Sequence, residues 1–169
     1  MRRSLLCLTL AFAAGAAIPT FLISSQVWAA PVDAATYVQK AAVGDLFEIE
    51  TSRLAETQAS NAKVKTFAEM MVADHTQSSQ KIAAAAGTTL PTKLDQPHQD
   101  QLAQLQKASG AEFDRSYIEL QVKAHMDALQ LHQDYAANGS DPKLKAVAAE
   151  IVPVVSHHLD EAKRLAGAS

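Results

Sequence analysis

Apolar residues recur three and four positions apart through four long stretches of the chain. That spacing lines them up on one face of an α-helix. In the second stretch the face consists of Val64, Ala68, Met71, His75 and Ile82. At about 100° per residue, His75 lies about 20° from Val64 around the helix. A histidine preceded by Asp74 therefore stands where a core side chain belongs. The same periodicity predicts a first helix from Ala34 to about Gln58, capped by Asp33. It turns Tyr37, Val38, Ala41, Asp45, Glu48, Ser52 and Ala55 inward. Asn61 starts the second helix, which runs to Ala86 and stops at Gly87.

A long connection follows from Thr88 to Ser109, with Pro91 and Pro97 as breakers and a short helix over about His98 to Lys107. A third long helix spans about Ala111 to Ala137. Phe113, Tyr117, Leu120, Ala124, Leu131 and Tyr135 form one row on it, and Ile118, Val122, His125 and Leu129 an adjacent one. Asn138-Gly139-Ser140-Asp141-Pro142 ends that helix and starts the next, with Asp141 as cap and Pro142 at the first position. The fourth helix runs to about Ala166. Leu144, Val147, Ala148, Ile151, Val155, His158, Ala162 and Leu165 face inward, and Pro153 in its interior predicts a kink. The fold class is all-α, a ferritin-like four-helix bundle with a short extra helix in the middle connection. The short links make the first and second helices, and the third and fourth, antiparallel neighbours. The middle connection is long enough for a crossover and also compatible with a simple up-down return.

The N-terminal segment changes the picture of where the chain acts. Arg2 and Arg3 precede an apolar run from Ser4 to Ile23, and Val27-Trp28-Ala29 fits a cleavage site. Residues 1–29 read as a secretory signal, leaving a bundle domain over 30–169 in the periplasm or another exported location. An uncleaved membrane anchor is the competing reading. Cys7 falls inside this segment, so the mature chain has no thiol for a disulfide or a metal. After signal cleavage no stable membrane insertion is expected. A net charge of -3 with no basic run argues against a nucleic-acid partner.

Each long helix carries one polar residue near its midpoint on the inward face: Glu48, His75, His125 and His158. Midpoints of packed antiparallel helices share one height, so the four predict a single polar layer. Asp45, Ser52 and Asp74 lie within a turn of it. Two readings stay open. The layer binds one transition-metal ion (zinc, copper, nickel or iron) through Glu48, His75, His125 and His158. Alternatively it is a closed His–Glu hydrogen-bond network in a non-catalytic structural or stress-related interaction protein. A di-iron centre is disfavoured. Such sites use Glu-x-x-His on two helices, and here Val72, Val122 and Val155 stand three before the histidines. Met70 and Met71 read as core filler rather than thioether ligands. His98, His132 and His157 read as peripheral. No nucleophile–base motif or phosphate loop is present in the sequence, so no catalytic residue or organic-cofactor site is assigned and a binding protein is favoured over an enzyme.

These stretches resemble an exported bacterial family of unknown function related to the ferritin-like superfamily, often labelled as predicted outer-membrane proteins. The resemblance rests on Phe47-Glu48-Ile49-Glu50-Thr51-Ser52-Arg53-Leu54-Ala55 and on Phe67-Ala68-Glu69-Met70-Met71-Val72-Ala73-Asp74-His75. It continues with Gly110-x-x-Phe113-Asp114-x-x-Tyr117, with Gln121-Val122-Lys123-Ala124-His125, and with Pro153-Val154-Val155-Ser156-His157-His158-Leu159. It implies a ferritin-like bundle exported from the cytoplasm and no established reaction. The outer-membrane label fits poorly, because the chain lacks the alternating strands of a barrel.

Overall fold

Capping side chains delimit the helices. In the computed structural model, which describes residues 33–167, Asp33 accepts the Thr36 N–H at 3.0 Å and opens α1, Ala34–Gln58. Asn61 accepts the Lys63 N–H and opens α2, Ala62–Ala86, which ends at Gly87 with φ 62°. That left-handed conformation suits glycine because it has no Cβ to clash. Asp95 accepts the His98 N–H and opens the short α3, Gln96–Leu105. Hydrogen bonds from Lys107 to Gln104 and from Ala108 to Leu105 then tighten its end into a turn. Gly110, at φ 58°, starts α4, Gly110–Asn138. Asp141 caps α5, Pro142–Ala166, by accepting from Lys143 and Leu144, and α5 continues through Pro153. The proposed leader over 1–29 and Cys7 lie outside the described residues.

Two apolar clusters fix how the helices run. One joins Ala55 and Ala59 at the end of α1, Val64 and Phe67 at the start of α2, Phe113 and Tyr117 at the start of α4, and Ala162 and Leu165 at the end of α5. The other joins Tyr37 and Val38 of early α1, Ile82 of late α2, Tyr135 of late α4, and Leu144 and Ala148 of early α5. Helix α1 therefore runs up, α2 down, α4 down and α5 up. The segment 87–109 crosses the length of the bundle. Helix α1 packs against α2 and α4, and α5 against α4 and α2, so every neighbouring pair is antiparallel. Helix α3 lies over the α1/α4 seam. It plugs Leu105 into the upper cluster, and its His98 ring meets Phe47 at a centroid distance of 4.6 Å. The result is an all-helical bundle. Among the described residues there is no strand and no helix long and apolar enough to cross a membrane.

One buried carboxylate holds the upper end together. Asp114 of α4 accepts the backbone N–H groups of Ser60 and Asn61, both at 2.9 Å, and the Ser60 hydroxyl. It thereby ties the α1–α2 turn to α4. One turn on, the Tyr117 and Ser52 hydroxyls are 2.8 Å apart. The Phe113-Asp114-x-x-Tyr117 sequence thus serves the bundle end. Glu48, His75, His125 and His158 interrupt the core between the two clusters.

Candidate metal centre

Four helices contribute to the mid-bundle layer, and each does so because a polar residue replaces an apolar one at an inward position. Glu48 of α1, His75 of α2, His125 of α4 and His158 of α5 are at most 2% exposed. The three imidazole rings form a nearly equilateral triangle, with centroids 5.4, 5.4 and 5.5 Å apart. One ligand nitrogen from each lies within 4.8 Å of the others. The centre of such a triangle is at most about 2.8 Å from each corner, so ring shifts below about 1 Å reach metal–imidazole bond lengths.

The remaining nitrogens are held from behind. Nδ1 of His75 donates to Asp45 Oδ1 at 2.8 Å and lies 3.0 Å from Glu48 Oε2. Nδ1 of His125 donates to the backbone carbonyl of Gln121 at 2.9 Å and lies 3.2 Å from Glu48 Oε1. Nε2 of His158 donates to Asp74 Oδ2 at 2.9 Å. Carboxylates and carbonyls only accept, so these contacts assign the proton on each ring. That leaves His75 Nε2, His125 Nε2 and His158 Nδ1, all buried and without a hydrogen-bond partner. Glu48 sits behind two of the rings. With Asp45 and His75 it forms a second group of ligand atoms within 4.8 Å.

Burial and the carboxylates divide the protons unequally. Burial pulls His75 down, but Glu48 and Asp45 outweigh it and raise the ring to about 9. Burial raises Glu48 to about 7, with His75 opposing and Asp45 adding to the rise. Burial and repulsion from His75 and His158 drive His125 down to about 3. His158 is also lowered, first by burial and then by His75, against the pull of Asp74. At neutral pH the layer therefore holds one cationic ring, His75, and two neutral rings, His125 and His158. A groove of about 490 Å³ along α1 and α4 reaches the carboxylate side. Its lining includes Asp45, Glu48, Asp95, Asp127 and Asp134 against Lys40. Carboxylates concentrated in a cleft raise the local concentration of cations.

The structure brings together all four layer residues, and Asp45 and Asp74 bond to the rings as the spacing suggests. Ser52 does not; it is spent on Tyr117 at the bundle end. His132 is not peripheral either. It is 3% exposed, and its Nδ1 lies 3.0 Å from the Tyr37 hydroxyl. Burial lowers it to about 4. Gln121 is fully buried and was absent from the predicted inward rows. The signal for both was present, since they stand four before and seven after His125 on the same helix face. His157 is exposed, and His98 is half-buried against Phe47.

The chain belongs to the family described as a domain of unknown function, DUF4142, which matches residues 24–165. A comparison with curated proteins gives no match. Among solved structures, the fold is similar to "CopM in the Cu(II)-bound form". The TM-score is 0.68 at 16% identity, covering 81% of this chain and 97% of that one. It is also similar to "CopM in the Ag-bound form (by co-crystallization)". Here the TM-score is 0.63 at 15% identity, covering 78% of this chain and 93% of the other. At these identities the likeness concerns the fold.

Proposed function

We propose that this protein binds one transition-metal ion through His75, His125 and His158, in an exported location. Three buried imidazoles carry this reading: their ligand atoms lie within 4.8 Å of one another, and each ring keeps one buried nitrogen without a hydrogen-bond partner. A closed His–Glu network would use those nitrogens, because each buried polar atom left unpaired costs about 1–3 kcal/mol. Ligating histidines characteristically give their other nitrogen to a carboxylate or carbonyl, and all three rings do so here.

An all-imidazole set without thiolate suits copper, zinc, nickel or iron. The similar Cu(II)- and Ag-bound structures favour copper or silver among the ions to test first. Asp45 and Glu48, behind His75, balance the positive charge that an ion adds to the core. Glu48 acts through the rings, since its oxygens face Nδ1 of His75 and of His125 rather than the free nitrogens. The acidic α1/α4 groove offers cations a way in. The single long crossover matches the connection used in ferritin-like bundles, and the missing Glu-x-x-His still argues against di-iron chemistry. The leader over 1–29 supports export.

The test is metal analysis of the purified protein after copper loading, beside His75→Ala, His125→Ala and His158→Ala. One ion per chain is expected for the wild type, with loss of high-affinity binding in each variant. Retention of the ion by all three variants would sink the reading.

A further inference from the structure

The centre has three imidazoles, and Cu(II), zinc, nickel and iron take four or more ligands. On the side away from the acidic groove, the α2/α5 seam contains a cavity of about 30 Å³ lined by Asp74, His75, Ser78, Val155 and His158, among others. A volume of roughly 10–15 Å³ on this measure admits one water, so a very small molecule fits beside two of the rings.

Ser78 is the residue that nothing else explains. It stands one turn beyond His75 on the same face of α2 and is 8% exposed. Buried helical hydroxyls usually bond back to a carbonyl one turn earlier. Thr51 does so to Phe47 at 2.8 Å, and Thr76 to Val72 at 2.6 Å. The Ser78 hydroxyl has no partner at all. It offers a donor to the cavity that His75 and His158 also line. The mouth of the cavity lies near Lys81 and Glu150, which bridge α2 and α5 at 3.0 Å. The carboxylates at the seam are already partnered, Asp74 by His158 Nε2 and Glu150 by Lys81, whereas Asp45 and Glu48 line the groove side.

We infer that the three-histidine centre keeps an open coordination position toward the α2/α5 seam, where Ser78 donates a hydrogen bond to a bound water or small anion. This rests on the metal-binding reading. It makes the centre one that exchanges an external ligand rather than a closed structural site.

Azide is a suitable probe. The protein is loaded with Cu(II), its copper content measured, and azide titrated while the charge-transfer absorption and the electron paramagnetic resonance spectrum are followed. A saturable new band is expected in the wild type. Ser78→Ala should weaken azide binding about fivefold, the worth of one hydrogen bond. Ser78→Val should abolish it by filling the cavity. Both variants should keep their copper, and circular dichroism checks that each is folded; if Ser78→Val is not, Ser78→Ala decides. A copper-loaded wild type blind to azide overturns the inference, as does equal azide binding in wild type and Ser78→Ala. A wild type that takes up no copper fails the parent reading, and the metal analysis reveals that before azide is added.

Discussion

Asp74 on α2 orients His158 on α5, with Oδ2 2.9 Å from Nε2, although its neighbour in sequence is His75. The acid of an Asp-His pair thus serves a histidine on another helix. The Asp74 side chain is 40% exposed while His158 is almost fully buried, so removing the acid affects the ring more than the fold. Asp74→Ala is expected to weaken metal binding by about 10- to 100-fold, the usual effect of losing such a partner. Titration with a competing chelator, with thermal melts as control, measures this.

Metal affinity should depend on pH through His75. The metal-free ring, raised to about 9, holds at pH 7 a proton on the nitrogen an ion needs. Apparent affinity is expected to rise about tenfold per pH unit from 7 toward 9 and then level off, because each ion displaces one proton. Calorimetry in two buffers of different ionisation enthalpy should find about one proton released per ion at pH 7.5. Affinity independent of pH over this range would contradict the assignment.

Stability of the metal-free protein should peak near pH 6.5. His125 and His132, lowered to about 3 and about 4 by burial, stay neutral in the fold, whereas unfolded imidazoles protonate near 6.5. Acidification below 6.5 therefore favours the unfolded chain, by about 1.4 kcal/mol per pH unit for each ring. His158 is lowered as well and acts in the same direction. Glu48, raised from 4.5 to about 7, offsets about one ring between those values. The stabilisation from His75, whose folded value is about 9, is complete below 6.5 and is lost as pH rises toward 9. Urea midpoints from pH 4.5 to 8.5 should trace this maximum.

The upper end of the bundle separates folding from binding. Asp114 satisfies two backbone N–H groups and one hydroxyl of the α1–α2 turn. Asp114→Ala should destabilise by about 2–3 kcal/mol, yet leave copper stoichiometry unchanged under native conditions. A variant that loses metal while remaining folded would tie this turn to the centre.

Helix boundaries were legible because caps and breakers are local. Asp33, Asn61, Gly87 and Asp141 each act on backbone within a few residues of themselves. The inward positions of Glu48, His75, His125 and His158 followed from periodicity. His132 and Gln121 were missed because α4 buries a broad arc, on which polar and apolar rows alternate. The fate of Ser52 was not legible, since only packing brings Tyr117 opposite it.

From residue order alone came an all-helical chain with a polar layer at mid-height and no di-iron motif. Those features depend on spacing within one helix, where 3.6 residues per turn settles which side chains share a face. Packing alone decided the direction of α4, which makes 87–109 a crossover, and the pairing of Asp74 with His158 across two helices. It also decided which nitrogen of each ring stays free. These are relations between helices distant in sequence, and they depend on how ridges and clusters fit in space rather than on any local propensity. His75, in a core position on the Val64 to Ile82 face, thus meets Asp45, Glu48, His125 and His158 only where the other helices pack around it.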